Sequence, residues 1–538
     1  MKKLILLIAA AALFTPALMF SGCLGNNPGG GKAGTLEISV FDGGYGTGWL
    51  TAMINAYKYE NPGAEIKMVK ATGAIGRSLQ NYEIHSGAAP SDLYFLMNDV
   101  FREVNNAKLT GGSGSWYADI SDVWNSIPEE QTASVKASMS PTFESYFNDN
   151  GKYYALPWAT AAEGLVYHPN LFASKSWAVP RTTGELLKLA ATIKNANAVN
   201  AYGKTIYPFS YSLSDEYWNM MFPIWFAQYE GRAGWDNYWQ GIDYAGNKYA
   251  VSATRYLGIQ RSLEVFQRLL ANASNYNHPY SKSSDFTEMQ FKFLDGESAM
   301  APNGDWLLSE MRGDFTDDEV DIAFMKAPVN SAIVERLELY AQADKGTSYY
   351  NLTSSKQDAY DATLALIVAD ADADKAASAH CSAADFARVK EARSMVNAEG
   401  NVHLAILPSY KTINADMAKK FLTFMYSYKG AELFAANTKG CTLPMSYDLS
   451  DSALVSENST AFGYSAAEYA AGASFVFKYN YRDPLFHTGN LRPLAGSVDN
   501  FVSLLGASSL TDYKSALEIY NTTLAYYETI WDDIVSRV

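Results

Sequence analysis

The chain has 538 residues, 48% of them hydrophobic and 18% charged, a globular composition with enough length for two or more domains. Its formal net charge is −15, and Lys2 and Lys3 are the only charged residues before Cys23, so the remainder is more acidic still. Such a surface repels a phosphate backbone and argues against nucleic acid as a partner.

The first element is "MKKLILLIAAAALFTPALMFSGC", a basic start and one apolar run that read as a secretory signal over residues 1–22. Ser21-Gly22 before Cys23 resembles the bacterial lipoprotein cleavage site, where the cysteine is lipidated; Phe20 stands where leucine is typical. An uncleaved anchor and ordinary cleavage are the alternatives. Residues 23–34 form a Gly-rich tether that would reach roughly 20 Å. No later run is apolar enough to span a bilayer. The expected location is extracytoplasmic, lipid-anchored to the membrane at the cell surface or in the periplasm, as a monomer.

"TLEISVF" alternates and reads as a strand, and the loop "DGGYGTG" follows it. "WLTAMINAYKYE" places Trp49, Leu50, Met53, Ile54 and Tyr57 on one helical face, "NPG" stops it, and "AEIKMVKA" resumes a strand. This β-loop-α-β unit seeds an open parallel sheet, in which ligands bind at loops leaving the carboxyl ends of strands. Asp42 and, after the strand "SDLYFLM", Asn98 and Asp99 occupy such ends.

"GKYYALPWATAAEGLVYHPNLF" gives a turn and two extended runs, and "WAVPRTTGELLKLAATIK" a proline, a threonine cap and a helix. "DIAFMKAPV" reads as a buried strand. Residues 356–400 are Ala-rich and acidic and read as an added helical segment. "DMAKKFLTFMYSYKGAELFAANT" gives two helical segments parted near Gly430, and the C-terminus is helical. Of three cysteines, Cys381 and Cys441 remain beside Cys23; a bridge and two free thiols are both open.

Seven stretches, in order and spacing, resemble the maltose-binding-protein-like extracellular solute-binding proteins of bacterial ABC importers, family 1. They are "ISVFDGGYGTGWL", "YENPGAEIKM", "GAAPSDLYFLMND", "GKYYALPWATAAEGLVYHPNLF", "VPRTTGELLKLA", "FLDGESAMAPNGDW" and "AKKFLTFMYSYKGAELFAANTKGCTLP". The resemblance implies an α/β, periplasmic-binding-protein-like fold, two α/β lobes with a hinge of three crossovers and a ligand cleft between them. The crossovers are expected near residues 159–165, 323–329 and 425–430. That makes 35–160 plus 326–428 the N-terminal lobe, including the Ala-rich insert, and 161–325 plus 429–538 the C-terminal lobe. It further implies a sugar or oligosaccharide as ligand, delivery to permease subunits, no cofactor and no catalytic residue.

A sugar site needs carboxylates or amides for hydroxyls and flat rings for sugar faces. Candidate contacts matched to the family are Asp42, Asn98, Asp99, Trp158, Glu163, Asp215, Tyr217, Trp218, Asp305 and Trp306. Trp306, after the turn Asn303-Gly304, is the expected stacking platform. Competing motifs fail: Trp49 replaces the third glycine of a dinucleotide loop, and the acidic run Asp370, Asp372, Asp374 lacks the glycine and closing glutamate of a calcium loop. It reads as a solvated helix end. Six histidines form no HExxH pair, so no metal site is expected. A secreted glycoside hydrolase, needing two carboxylates ~5 to 9.5 Å apart, and a sensor subunit presenting ligand to a receptor kinase are the alternative readings.

Overall fold

The computed structural model describes residues 34–98, 115–270, 276–315, 320–477 and 515–536. Cys23 and Asp99, the signal segment and the tether up to Ala33 lie outside the described residues. Two sheets organise the chain. The first begins with β1 (Thr35–Asp42), α1 (Gly48–Glu60), β2 (Glu65–Thr72), α2 (Gly73–His85) and β3 (Leu93–Met97). The five residues on the helical face of α1 are the ones it buries, and they hold it against a sheet in which β1 runs parallel to β2 and β3. β4 (Leu156–Pro157) ends this first run.

The second sheet is built from β5 (Ala162–Tyr167), β6 (Tyr207–Phe209), β7 (Ser298–Gly304), β8 (Ala323–Met325), β9 (Met395–Ala398) and β11 (Ser474–Val476). Its order is β11-β9-β5-β7-β6, with β8 also on β5. The remaining strand, β10 (His403–Ile406), returns to the first sheet and lies antiparallel between β3 and β4, giving the order β2-β1-β3-β10-β4.

Helices of the second lobe are α3 (Thr183–Ala196), α4 (Phe222–Trp239), α5 (Leu257–Leu270), α6 (Phe286–Leu294) and the single turn α7 (Leu307–Glu310). Thr182 caps α3 by accepting the Glu185 N–H, as the sequence suggests. The aromatic run between Tyr207 and Trp239 is mostly core: Trp225, Phe226, Tyr229, Trp235, Tyr238 and Trp239 are all buried.

The Ala-rich region forms α8 (Ser354–Asp372) and α9 (Ala383–Arg393), but not where the sequence pattern put it. α9 packs on α4, α8 packs on α3, and the region ends in β9, which pairs with β5. Residues 326–398 therefore belong to the second lobe rather than the first. Asp370, Asp372 and Asp374 pair with Lys375, Arg393 and Lys390 at the helix ends. Next come α10 (Ala415–Met425) and α11 (Tyr428–Asn437). α11 packs on α1 of the first lobe, because Phe434 inserts between Trp49 and Tyr45. The break near Gly430 is only a cap, Ser427 accepting the Gly430 N–H. α12 (Ala461–Ala470) packs on β8, and α13 (Ala516–Ser536) on α5.

Among the described residues the chain thus passes between lobes three times, at residues 158–161, 399–402 and 438–460. The family resemblance places the first near 159–165. The other two lie later than the sequence suggests, since a helical pair and β9 follow β8, and α11 stays with the first lobe. The three passages touch. Glu399 N–H donates to Ala161 O at 2.9 Å, and Thr160 N–H to Thr442 O at 2.9 Å. Ala161 has φ +52° and Lys439 +61°, left-handed backbone that is costly for residues with a Cβ. Cys381 and Cys441 are both free.

Candidate functional site

The loop after β1, residues 43–47, leaves the first lobe and lies against the second. Tyr45 is its only large side chain and is 2% exposed. Its hydroxyl donates to Asp305 Oδ1 at 2.5 Å. Rings surround it edge-on: Trp158 at 5.6 Å, Trp306 at 6.2 Å and His403 at 5.5 Å. The glycines on either side allow this closeness. A Cβ on Gly44 would meet the Trp306 side chain at 3.1 Å, and one on Gly46 would meet the Arg312 guanidinium at 2.4 Å.

Trp158 forms the floor. It stacks on Trp49 at 5.3 Å and donates its indole N–H to Leu96 O at 2.9 Å. Trp306 sits at the N-cap position of α7 with its ring over Gly304. Asp305 is wholly enclosed; its second oxygen accepts the Ala162 N–H at 3.3 Å. Burial pushes its carboxyl up to about 7, against the opposing pull of the Tyr45 and Ala162 hydrogen bonds.

Polar acceptors gather beside these rings. Glu163 on β5 faces Asn397 on β9, whose amide donates to its carboxylate. The Gln290 amide of α6 donates both to the Tyr217 hydroxyl (3.1 Å) and to Glu310 at the end of α7 (2.9 Å). Burial, then the fields of Glu310, Asp215, Glu399 and Glu163, raise the Tyr217 phenol far above its ordinary value. Burial also raises the Glu310 carboxyl; the Gln290 bond opposes this and Glu399 adds to it. Gln290 Oε1 and Asn397 Oδ1 are buried without a partner among the described residues. Free acceptors of this kind suit a ligand rich in hydroxyl donors.

Of the candidate residues, the structure brings together Trp158, Glu163, Tyr217, Asp305 and Trp306. Asn98 borders them, its N–H bonded to Val402 O at 2.7 Å beside the second passage. Three stand elsewhere. Asp42 pairs with Lys70 across β1 and β2 at 3.1 Å. Asp215 accepts from Ser212 Oγ (2.7 Å) and the Phe286 N–H (2.8 Å), fastening its loop to the start of α6. Trp218 is 1% exposed and packs among Phe209, Tyr211, Trp225 and Phe266, in the core rather than the cleft. Sequence reasoning passed over Tyr45, Gln290, Glu310, Asn397, Glu399 and His403. Tyr45 carried a signal, as the lone aromatic among the glycines of "DGGYGTG". Among the described residues no group of three or more His, Cys, Asp or Glu could hold a metal ion, and no helix is long and apolar enough to cross a membrane.

Solved structures share this architecture. RafE in complex with raffinose is 14% identical, with a TM-score of 0.56 over 92% of this chain and 99% of that one. Apo RafE from Streptococcus pneumoniae is also 14% identical, with a TM-score of 0.56 over 93% and 100%. Maltose-bound MalE3 of T. maritima is 13% identical, with a TM-score of 0.53 over 92% and 100%. At such identities the likeness establishes the fold. No curated relative matches the sequence. Residues 52–380, more than half of the chain, match the family of bacterial extracellular solute-binding proteins, whose members bind solutes outside the cytoplasm. The chain belongs to that family of extracytoplasmic solute-binding proteins.

Proposed function

We propose that the protein captures a carbohydrate, an oligosaccharide, between its lobes and delivers it to the permease subunits of an ABC importer, anchored to the membrane as a monomer through lipid on Cys23. The observation that carries the reading is the meeting of the Trp306 ring, over a floor of Tyr45 and Trp158, with the acceptors Glu163, Asn397, Gln290 and Glu310. Rings cover sugar faces and buried acceptors take sugar hydroxyls, a division of labour that discriminates among ligands. Two structural neighbours carry raffinose and maltose, which supports the substrate class. The work of such a protein is differential affinity for the closed arrangement, with no bond made or broken.

The test is thermal unfolding of the chain lacking residues 1–23 across a panel of neutral mono- and oligosaccharides, with products assayed in parallel. A sugar at a hundred times its Kd adds ~2.7 kcal/mol of stability. A rise for one sugar class, without turnover, is the expected result; no rise with any sugar, or hydrolysis, would sink the reading. Glu310→Gln is then expected to weaken the sugar that binds by about tenfold, on the order of the loss of one hydrogen bond to a charged group. Isothermal titration at pH 7.5 reads this, and unchanged unfolding of the sugar-free variant shows that the loss is in the site.

A further inference from the structure

We propose that Tyr45 is a positioning residue for lobe closure, tying the first lobe to the Asp305 carboxyl of the second. The proposal concerns the closing motion and does not depend on which solute is bound.

Asp305 holds two donors of different origin. Ala162 lies on β5 in its own lobe, and Asp305 N–H returns a bond to Ala162 O at 3.0 Å. This half is internal to the second lobe. Tyr45 comes from the other lobe, and its 2.5 Å bond exists only while the two are together. The contact is shaped for the tyrosine. Trp158, Trp306 and His403 fix the ring edge-on, and the flanking glycines let Trp306 and Arg312 press on the loop backbone. Asp305 is therefore occupied by the protein itself rather than left as a hydroxyl acceptor for solute.

The tie is also proton-linked. The groups around it are the Tyr45 phenol, raised by burial and by Asp305, and the Cys441 thiol, also raised by burial and bonded to the Asp305 carbonyl at 3.3 Å. Burial keeps His403 below its ordinary value. Glu399 adds its field at Tyr45, and the Arg312 guanidinium lies against Gly46. In this arrangement the Asp305 carboxyl titrates at about 7, whereas a solvated aspartate titrates near ~3.9. The closed arrangement thus binds the proton more tightly than one in which Asp305 meets water. Its advantage is complete below ~4, falls by up to about tenfold per pH unit as pH rises, and levels off once the buried carboxyl has ionised.

The experiment places a donor–acceptor pair, through unnatural amino acids, at the exposed Tyr59 and Tyr202 of the full chain in detergent, with no sugar present. Tyr59 is on the first lobe and Tyr202 on the second. The wild type is expected to lose short-distance population as pH rises from ~4, with the loss ending once the buried carboxyl, which titrates at about 7, has ionised. Asp305→Asn, neutral throughout and still able to accept from Tyr45, is expected to stay short and flat with pH. Tyr45→Phe at pH 5 is expected to shift toward the long distance by about tenfold, the effect of one lost hydrogen bond. A wild-type distance that does not change with pH overturns the proposal even if both variants fail to fold. So does an Asp305→Asn variant that keeps the full pH dependence. Because no sugar is used, failure of the sugar panel would leave this result standing.

Discussion

Trp158→Ala is expected to destabilise the protein by about 3–5 kcal/mol, the usual cost of removing a large buried aromatic. Trp158 is 2% exposed, stacks on Trp49 and fills the space under Tyr45. Its removal empties the floor of the site and leaves the Leu96 carbonyl without the indole N–H that satisfies it. Chemical denaturation should show an earlier transition for the first lobe. Trp158→Phe keeps a ring against Trp49 and gives up the hydrogen bond, so a loss nearer 1–2 kcal/mol is expected. The pair of variants separates two roles. If Trp158→Ala unfolded like the wild type while sugar affinity collapsed, the indole would be a direct ligand contact and not a floor. The structure favours the floor: the ring is packed against Trp49, Tyr45 and His403.

Local elements were legible where the pattern was local. The face of α1, the threonine cap of α3 and the strand before Asn98 follow from residue spacing, and the structure agrees with each. Lobe assignment was less legible, because strand order depends on partners distant in sequence. Nothing in "MVNA" says that it pairs with β5, more than two hundred residues earlier. The family pattern led to a return crossover directly after β8; the added helices α8 and α9 postpone it to residue 399. The site divided in the same way. Asp305 and Trp306 stand after a conspicuous turn, so the sequence could single them out as candidates. Gln290 and Asn397 did not stand out: Gln290 is one of several polar residues on a short helix and Asn397 the one polar residue of a short strand, and each gains meaning only from what it faces. Asp215 and Trp218 misled for the opposite reason: a loop rich in aromatics and acids looks like a site, and here it is a turn and a core.

Glu335→Ala is expected to cost about 3–5 kcal/mol, because it leaves a buried guanidinium without its main counter-charge. Glu335 accepts Arg261 Nε on both oxygens, at 2.9 and 3.0 Å. It also accepts the Tyr229 hydroxyl at 2.9 Å and the Tyr349 N–H at 2.7 Å. The side chains of Arg261 and Glu335 are 9% and 10% exposed, so water cannot replace what is removed; Glu264, 3.4 Å from Arg261, is the remaining partner. One carboxylate thereby joins α4, α5 and the segment that leads to α8. Arg336 lies over the Tyr229 ring at 4.7 Å and reinforces the same junction. The loss should appear in the transition of the second lobe, with the first lobe and the Trp49–Trp158 stack unaffected. Arg261→Met combined with Glu335→Leu should recover most of it, since a buried pair replaced by apolar residues of similar volume is often neutral. Should the single variant melt the first lobe instead, residues 326–398 would be coupled to β1 and β3, contrary to the pairing of β9 with β5. A loss confined to the second lobe would mark Glu335 as the junction that fastens α4, α5 and the segment before α8 within that lobe.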